Sequence, residues 1–220
     1  MDEIALIDVR ESIFAANDEE AASVRALLAE HGVYMLNVLA SPGAGKTALI
    51  VETIRRLPNV RIAVVEGDIT SQIDAERIAA QGVPAVQVNT GGLCHLDATM
   101  VRAALQKLDL AALDLVVVEN IGNLVCTADF DIGAHTGVVL LSVPEGDDKP
   151  AKYPLIFETS DACIVTKADY LAAGRFDVAR VTRDVLALNP ASAIIAVSSE
   201  TGEGMEAWVR MVEHWLKVQR

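Results

Sequence analysis

Residues 34–47 read YMLNVLASPGAGKT, an apolar run followed by a glycine-rich loop that ends in lysine and threonine. The apolar run predicts a strand that is buried on both faces, and an amphipathic helical pattern begins directly after the loop. This order of strand, loop and helix is typical of a P-loop, whose small residues let successive backbone N–H groups face a phosphate. Ala40 occupies the first position of the motif, where the full pattern has glycine. We therefore predict nucleotide-binding contacts from Pro42, Gly43, Ala44, Gly45, Lys46 and Thr47.

The rest of the chain alternates short apolar runs with amphipathic stretches, which is the pattern of buried parallel strands connected by helices. It predicts an α/β P-loop NTPase fold, with a mostly parallel seven-stranded sheet flanked by helices on both faces. No composition break or linker divides the chain, so we expect a single domain over residues 1–220, with residues 1–16 as a candidate N-terminal arm. The predicted strands cover residues 34–39, 61–66, 85–88, 115–119, 138–143, 162–166 and 192–197. The predicted helices cover residues 18–31, 46–57, 71–81, 96–109, 176–188 and 204–218.

The composition of the chain excludes several classes of protein. With 52% hydrophobic and 22% charged residues, the 220-residue chain can build a sizeable core and is not disordered. Its net charge of -13 repels phosphate backbones and anionic lipids, so we expect no nucleic acid and no membrane among its partners. Three cysteines do not suggest a disulfide framework, and the N-terminus does not read as a secretory signal. No apolar run approaches the ~18 residues of a membrane span, so a cytoplasmic protein is expected.

Acidic residues follow two of the predicted strands at the edge of the sheet where ligands bind in such folds. Lys46 is predicted to contact the β- and γ-phosphates, and the Thr47 hydroxyl is predicted to bind Mg²⁺. Asp68 is a candidate for holding Mg²⁺ or orienting the attacking water, and Glu119 stands where a Walker B carboxylate would. Asp74 is a weaker candidate, since it can equally lie on the exposed face of a helix. The predicted catalytic residues are Lys46, Asp68 and Glu119, and the predicted magnesium ligands are Thr47, Asp68 and Glu119.

Two further loops indicate which base the nucleotide carries. The sixth strand ends in Thr166-Lys167-Ala168-Asp169, which resembles the Asn-Lys-x-Asp signature of P-loop GTPases. A carboxylate at Asp169 can accept hydrogen bonds from the N1–H and 2-amino groups of guanine, whereas adenine has no donor there. Lys167 is predicted to lie along the base plane, and Thr166 offers one hydroxyl where the signature has an amide. GTP and GDP are therefore favoured over ATP, and the predicted second base loop contains Ser198, Ser199 and Glu200.

A thiol and an imidazole stand side by side at Cys94 and His95, in a loop that follows two glycines. Such a loop can direct adjacent side chains towards one ion, which a regular strand cannot do. Cys126, which follows Glu119 on a short loop, is the third candidate ligand. Two thiolates and one imidazole suit Zn²⁺ or Ni²⁺, and a water or a second subunit would complete the site. The alternative is that the three residues are unrelated. Cys163 lies within an apolar strand and is predicted to be a small buried hydrophobic residue.

Taken together, the motifs resemble those of the HypB family, the hydrogenase nickel-incorporation GTPases. Their wider class includes the urease nickel GTPase and the signal-recognition GTPases. The resemblance covers roughly residues 34–216, which is nearly the whole chain. It is carried by SPGAGKT (41–47), GDI (67–69), GGLCHLD (91–97), ENIGNLVC (119–126), EGDDKP (145–150) and TGEG (201–204).

The resemblance implies a function that joins the two candidate sites. It implies that Cys94, His95 and Cys126 bind nickel or zinc, and that GTP promotes a homodimer. It also implies that the metal is delivered towards a [NiFe]-hydrogenase large subunit together with a nickel-handling accessory protein. Since Cys126 shares a short loop with Glu119 and Gly122, a loop that reorganises around the γ-phosphate would also move a metal ligand. We therefore expect nucleotide state and metal affinity to be coupled.

Other functions remain open from the sequence. A sibling GTPase that serves urease or a cobalamin enzyme would share the fold, although the urease relatives have Cys-Pro-His where this chain has Cys94-His95. A metal-binding scaffold with a decayed nucleotide site is suggested by Ala40 and Thr166. A small-molecule ATP kinase is disfavoured by Asp169. Two lysines after the fifth strand either reach a nucleotide across a dimer interface or are solvated: Lys149 and Lys152.

Overall fold

The computed structural model describes residues 9–68 and 73–218, which form one seven-stranded sheet between two layers of helices. Every pair of neighbouring strands is parallel, so the expected α/β P-loop fold is confirmed and the sheet is more regular than the predicted "mostly parallel" one. The strand order is β3-β2-β4-β1-β5-β6-β7. The strands are β1 (Tyr34–Ala40), β2 (Ile62–Asp68), β3 (Ala85–Asn89), β4 (Leu115–Gly122), β5 (Thr136–Ser142), β6 (Ala162–Thr166) and β7 (Ala193–Ala196).

The helices agree with the periodic stretches of the sequence and add several short ones. The α-helices are α1 (Val9–His31), α2 (Lys46–Arg56), α3 (Ile73–Ala79), α4 (Ala98–Leu105), α5 (Cys126–Asp129), α6 (Lys149–Lys152), α7 (Pro154–Glu158), α8 (Val178–Leu188) and α9 (Met205–Val218). The described residues also include 3-10 helices at Leu110–Ala112, Val143–Glu145 and Ala168–Ala173. The first helix begins at Val9, within the segment that the sequence left as a candidate arm, and residues 1–8 lie outside the described residues. Helices α5 to α7 were not predicted because four or five residues are too few to show a helical period.

The two faces of the sheet are covered by different helices. On one face, residues of β1, β2 and β4 pack against α2, α3 and α9, with Trp208 of α9 at the centre. The Trp208 indole N–H donates a 2.7 Å hydrogen bond to the Thr53 hydroxyl, which satisfies the polar atom of a buried aromatic side chain. The other face packs against α1 and α4 at one end and against α7 and α8 at the other. Because both faces are buried, the strands read as continuous apolar runs.

The strand order determines where the candidate site lies. β1 is central, with β4 on one side and β5 on the other, and the loop after β1 leads directly into α2. The carboxyl ends of β1, β2 and β4 therefore meet at one edge of the sheet, where open α/β folds bind their ligands. Within residues 9–68 and 73–218, none of the helices combines the length and apolar character that crossing a bilayer demands.

Candidate nucleotide and metal sites

The loop between β1 and α2, residues 41–47, has the backbone conformation that the sequence pattern requires, and we call it the phosphate loop. Gly43 and Gly45 have φ of 74° and 97°, in a region that favours glycine. The Ala44 N–H donates to the Ser41 carbonyl oxygen at 3.3 Å and closes the turn. Gly45 precedes the first residue of α2 and has no side chain to cap the helix. The first N–H groups of α2 therefore face the loop and can bind an anion.

Thr47 and Glu119 connect the start of α2 to the end of β4. The Thr47 hydroxyl donates to Glu119 Oε1 at 2.9 Å, and the Glu119 side chain is almost completely buried. Its second oxygen, Oε2, has no hydrogen-bond partner among the described residues. Burial raises the pKa of Glu119 to about 7, although the positive charge of Lys46 and the hydrogen bond from Thr47 act in the opposite direction. An oxygen without a partner at this depth indicates that a ligand completes the site.

Glu66 is a second buried carboxylate at this edge, and it was not predicted as a site residue from the sequence. It lies beside Glu119 in the register of β2 and β4 and is only 2% exposed. Its Oε2 also lacks a partner within the part of the chain that the structure describes. Burial and the nearby charge of Glu119 raise the pKa of Glu66 to about 8. The sequence did contain a signal. Ile62 and Val64 lie on the same face of β2 and pack in the core, and Glu66 is the next residue on that face.

Asp68 stands two residues beyond Glu66, so both side chains leave β2 on the same face. Its charge contributes to the raised pKa values of Glu66 and Glu119, which places it in the same electrostatic environment. Asp74, the weaker candidate, forms a 3.4 Å ion pair with Arg77 on α3. Hydroxyl and carboxylate oxygens are the ligands that Mg²⁺ prefers, so Thr47, Asp68 and Glu119 have the right chemistry for that ion. The buried Glu119 Oε2, which has no partner among the described residues, fits the same assignment.

The predicted base-reading residues line a cavity of about 600 Å³ beside α2, which we call the base pocket. Asp169 accepts a 2.6 Å hydrogen bond from the Ser198 hydroxyl, so the two loops predicted to contact the base meet here. Glu52 and Arg55 of α2 also face this pocket and were not singled out from the sequence. The pocket is lined by Gly45, Ala48, Val51, Glu52, Arg55, Pro144, Thr166, Lys167, Asp169, Tyr170, Ser198, Ser199 and Glu200.

Thr166 and Lys167 contact the phosphate loop directly. The Thr166 hydroxyl donates to the Ala44 carbonyl oxygen at 2.6 Å, and Lys167 Nζ donates to the Gly43 carbonyl oxygen at 2.8 Å. Lys167 has a φ of 57°, a left-handed backbone conformation that residues other than glycine rarely adopt. The single hydroxyl of Thr166 therefore still connects the base loop to the phosphate loop, where the usual signature has an amide.

The thiols of Cys94 and Cys126 are brought together from separate loops. The neighbouring Cys94 thiol raises the pKa of Cys126, and burial adds to this effect. Cys94 Sγ lies 3.8 Å from His95 Nδ1, while the His95 ring stacks on Phe130 with ring centroids 3.8 Å apart. Burial lowers the pKa of His95 and so favours the neutral imidazole that a metal requires. Across the described residues, no three His, Cys, Asp or Glu side chains are close enough to enclose an ion.

The segment that carries Cys126 starts beside the phosphate loop. A Cβ atom placed on Gly122, at the end of β4, would lie 2.9 Å from both Cα and N of Pro42. The Asn123 side chain then accepts hydrogen bonds from the N–H groups of Val125 and Cys126, at 2.7 and 3.1 Å, directly before α5. The chain therefore runs from a contact with the phosphate loop to a thiol within a few residues.

Other candidate residues have local partners. Cys163 is fully buried in β6, and burial raises its pKa to about 12, as expected for a hydrophobic packing role. His135 Nδ1 accepts a hydrogen bond from the Met35 N–H at 3.0 Å. Lys152 forms a 2.5 Å ion pair with Asp148, the residue before α6. Lys149 Nζ lies 5.8 Å from the centre of the Tyr153 ring.

The chain is similar in sequence and fold to proteins of known family. Residues 34–196 match the family model "CobW/HypB/UreG, nucleotide-binding domain". The hydrogenase maturation factor HypB of Azotobacter vinelandii is 44% identical over 209 residues, which cover 94% of this chain and 69% of that protein. The hydrogenase/urease maturation factor HypB of Helicobacter pylori is 41% identical over 204 residues, covering 91% of this chain and 84% of that protein. The crystal structure of HypB from Helicobacter pylori in complex with nickel matches with a TM-score of 0.88 at 38% identity, covering 92% of this chain and 95% of that chain.

Proposed function

Because this chain belongs to the CobW/HypB/UreG family of nucleotide-binding proteins, we propose that it is a GTP-hydrolysing metallochaperone of the HypB type. In this proposal it binds nickel or zinc and delivers nickel during the maturation of a [NiFe]-hydrogenase. The names of its relatives, hydrogenase maturation factor, support this function, and one solved relative contains nickel.

One observation carries the proposal. A single strand, β4, supplies Glu119 to Thr47 at the phosphate loop and leads within a few residues to Cys126, whose thiol is near enough to Cys94 for that residue to raise its pKa. A nucleotide site and a pair of soft ligands are thus built on one continuous segment. Neither an unrelated metal scaffold nor a simple nucleotide hydrolase requires this connection.

The nucleotide chemistry follows from the residues around the phosphate loop. Lys46, at the start of α2, would place its positive charge against the β- and γ-phosphates, and the first N–H groups of α2 would bind the same anion. Asp169, oriented by Ser198, would accept the two hydrogen bonds that distinguish guanine from adenine. Glu119 or Asp68 would orient the attacking water. No glutamine was identified in the sequence for that role, so hydrolysis is expected to be slow without a partner protein.

Magnesium is the resident cofactor that this site would hold. Thr47, Asp68 and Glu119 would hold it, since their oxygens are hard donors and a buried oxygen of Glu119 lacks a partner in the described structure. When bound, Mg²⁺ supplies charge that stabilises the phosphates during transfer. Glu119, which accepts the Thr47 hydroxyl hydrogen in the described structure, would release that contact when its oxygens take a new partner.

The metal cargo would be bound by Cys94, His95 and Cys126. Two thiolates and a neutral imidazole are soft ligands that suit nickel or zinc. Since three ligands leave the coordination incomplete, a water or a second subunit would supply the rest, which agrees with the proposed homodimer promoted by GTP. Movement of the β4 end with nucleotide state would change the position of Cys126 and therefore the affinity for the cargo. Delivery would involve a nickel-handling accessory protein and the hydrogenase large subunit.

The proposal also covers the cellular compartment of the protein and the alternative functions that the sequence left open. All three cysteines are free thiols, which suits a reducing cytoplasm. A second function, maturation of urease as well as hydrogenase, is favoured by the Helicobacter pylori relative, which is a hydrogenase/urease maturation factor. A scaffold with a decayed nucleotide site is disfavoured, because Thr166 still contacts the phosphate loop and Asp169 is still oriented by Ser198.

The decisive experiment measures both activities on one preparation. GTP turnover is measured for the purified full chain and for Lys46→Ala, and Ni²⁺ and Zn²⁺ are titrated into protein that is nucleotide-free, GDP-bound or bound to a non-hydrolysable GTP analogue. We expect turnover that Lys46→Ala removes, together with metal binding that survives in that variant. Absence of turnover would leave only the scaffold, and absence of metal binding would leave only a nucleotide hydrolase. Oligomeric state is recorded for each nucleotide.

A further inference from the structure

Leu96 follows directly after Cys94 and His95 and is fully buried, whereas the two candidate ligands are only partly buried. Whatever fixes the position of Leu96 therefore also fixes where the preceding thiol and imidazole lie. Two contacts contribute to this, one through the backbone of Leu96 and one through its side chain. One comes from β4 and the other from β2, the two strands that carry the candidate magnesium ligands Glu119 and Asp68.

The backbone contact comes from Asn120, the residue after Glu119 on β4. Asn120 Oδ1 accepts hydrogen bonds from the Leu96 N–H at 3.1 Å and from the Ile121 N–H at 2.9 Å. Its Nδ2 donates to Asn37 Oδ1 of β1 at 3.2 Å. Asn120 is fully buried, so these three bonds restrict its amide to one orientation.

The side-chain contact comes from β2. A Cβ atom on Gly67 would lie 2.8 Å from Leu96 Cδ1 and 2.9 Å from its Cγ, so the Leu96 side chain occupies the space that a larger residue would need. Gly67 immediately precedes Asp68, the candidate magnesium ligand. Leu96 is thus in contact with both strands whose ends carry the acidic residues of the nucleotide site.

We propose that Asn120 is a positioning residue that couples the nucleotide site to Cys94 and His95. It lies between Glu119, which accepts the Thr47 hydrogen bond, and Gly122, which contacts Pro42 of the phosphate loop. A change in the end of β4 moves the Asn120 amide, and the amide moves Leu96 and the two ligands before it. This inference rests on the proposed function, and it adds a second connection to the one that reaches Cys126 along the chain.

The chain offers a matched control for this role. Asn17 of α1 is also a buried asparagine, and its Oδ1 accepts a hydrogen bond from the Ala98 N–H at 3.0 Å, just after the same loop. Its Nδ2 donates to the Asp131 carbonyl oxygen at 2.7 Å. Asn17 therefore holds the same segment to α1 and not to a strand of the nucleotide site. Loss of either asparagine removes a buried amide, but only loss of Asn120 removes the connection to β4.

The test compares the Kd for Ni²⁺ in the presence of Mg²⁺-GDP and of a Mg²⁺-bound non-hydrolysable GTP analogue. It uses the full chain as wild type, Asn120→Ala and Asn17→Ala, with circular dichroism to verify folding. We expect the wild-type Kd to differ at least about fivefold between the two nucleotides, within the usual range of coupling between sites. Asn120→Ala should reduce this ratio to below about twofold while still binding the nucleotides, and Asn17→Ala should keep the wild-type ratio.

The outcomes separate this inference from the proposed function. If wild type and Asn120→Ala show the same ratio, or Asn17→Ala loses it equally, the positioning role is wrong while the proposed function stands. If wild type binds Ni²⁺ equally with both nucleotides, the inference also fails, although binding and hydrolysis remain. If wild type binds neither ligand, the proposed function itself fails. Should Asn120→Ala not fold, Asn37→Ala decides, because it removes the hydrogen bond that orients the Asn120 amide and should lower the ratio as well.

Discussion

The Ser198 hydroxyl donates a 2.6 Å hydrogen bond to Asp169 Oδ1, which joins the loop after β7 to the loop after β6. Ser198 is itself fully buried, and its Oγ also accepts a hydrogen bond from the Thr201 N–H at 3.1 Å. The carboxylate of Asp169 is therefore held from one side, with its remaining acceptor positions directed to the base pocket. A fixed carboxylate discriminates between bases better than a mobile one, since the wrong base leaves it without its hydrogen bonds.

Replacing Asp169 with asparagine should change the preferred base. Asp169→Asn replaces one acceptor with a donor, which matches xanthine, whose 2-oxo group is an acceptor, and no longer matches the 2-amino group of guanine. We expect GDP affinity to fall by about 10- to 100-fold, from the ~1–3 kcal/mol cost of an unpaired polar group, and XDP affinity to rise. Fluorescence titration with labelled nucleotides measures both. Ser198→Ala should weaken GDP binding less and leave the preference for guanine over xanthine unchanged. A preference of Ser198→Ala for xanthine would contradict the assignment of base selection to Asp169.

A methyl group on Gly122 should disturb the phosphate loop. The Cβ of Gly122→Ala would lie 2.9 Å from Cα and N of Pro42, so the loop backbone must shift. Such overpacking typically costs ~1–3 kcal/mol, and we expect a loss of about tenfold or more in GDP affinity at fixed Mg²⁺. Gly137→Ala on β5 is the matched control, because its nearest neighbours, Ser160 Cα and Thr159 O, would be 3.8 Å away. Equal GDP affinity in both variants would show that the Gly122 contact is unimportant.

The buried carboxylates predict how the stability of the nucleotide-free protein depends on pH. The pKa of Glu66 is raised to about 8 and that of Glu119 to about 7, both from 4.5. Since the folded state prefers the protonated forms, their contribution to stability is fully present below about pH 4.5 and is lost as the pH rises through 7 and 8. The free energy of unfolding should therefore decrease on going from pH 5 to pH 8, by at most about 1.4 kcal/mol per pH unit for each group.

Glu66→Gln isolates this effect, because glutamine keeps the shape and removes the ionisation. The difference in the free energy of unfolding between Glu66→Gln and wild type, from urea denaturation without nucleotide, should grow in favour of the variant as the pH rises. Glu206→Gln is the control, since the Glu206 side chain is 81% exposed and is solvated in both states. A Glu66→Gln difference that does not vary with pH would mean that Glu66 is not protonated in the folded protein.

Removing either thiol of the pair should abolish binding of the soft metal. Cys94→Ala and Cys126→Ala each leave a single thiol, so we expect the Ni²⁺ charge-transfer absorption to disappear and the Kd to rise at least about tenfold. GTP turnover should be largely retained. Cys163→Ala removes a thiol that is buried in β6 and should leave Ni²⁺ binding as in wild type. If Cys163→Ala lost the metal and Cys126→Ala kept it, the assignment of ligands would be wrong.

The fold was predictable because each strand is buried on both faces and therefore appears as an uninterrupted apolar run. β1 and β6 were placed to within one residue of Tyr34–Ala40 and Ala162–Thr166. β2 was predicted to end at residue 66, but it continues to Asp68 because Gly67 and Asp68 still pair with β3. Backbone pairing between strands extends β2 beyond its apolar residues, and the hydrophobicity of the sequence does not reveal such pairing.

The parts of the candidate site that consist of short sequence motifs could be predicted. The parts that depend on which residues of neighbouring strands lie side by side could not. The phosphate loop and the pairing of Asp169 with the loop after β7 follow from short motifs. Glu66 and Asn120 were missed as functional residues, because their roles arise from neighbours on β4, β2 and the Cys94 loop that are distant in sequence. Lys167 was expected along the base plane, and its contact with the Gly43 carbonyl became visible only with the two loops in place.

The central position of β1 has a consequence for synthesis of the chain. β1 pairs with β4 from Leu115 onwards and with β5 from Thr136 onwards, and among residues 9–68 no other strand covers either of its edges. While the ribosome is still making residues 41–114, this apolar segment has both edges open to other molecules. Parallel sheets that close only over long stretches of chain fold slowly and are prone to aggregate meanwhile. The yield of native protein in a cell should therefore depend on chaperone capacity and growth temperature more than on the equilibrium stability of the finished domain.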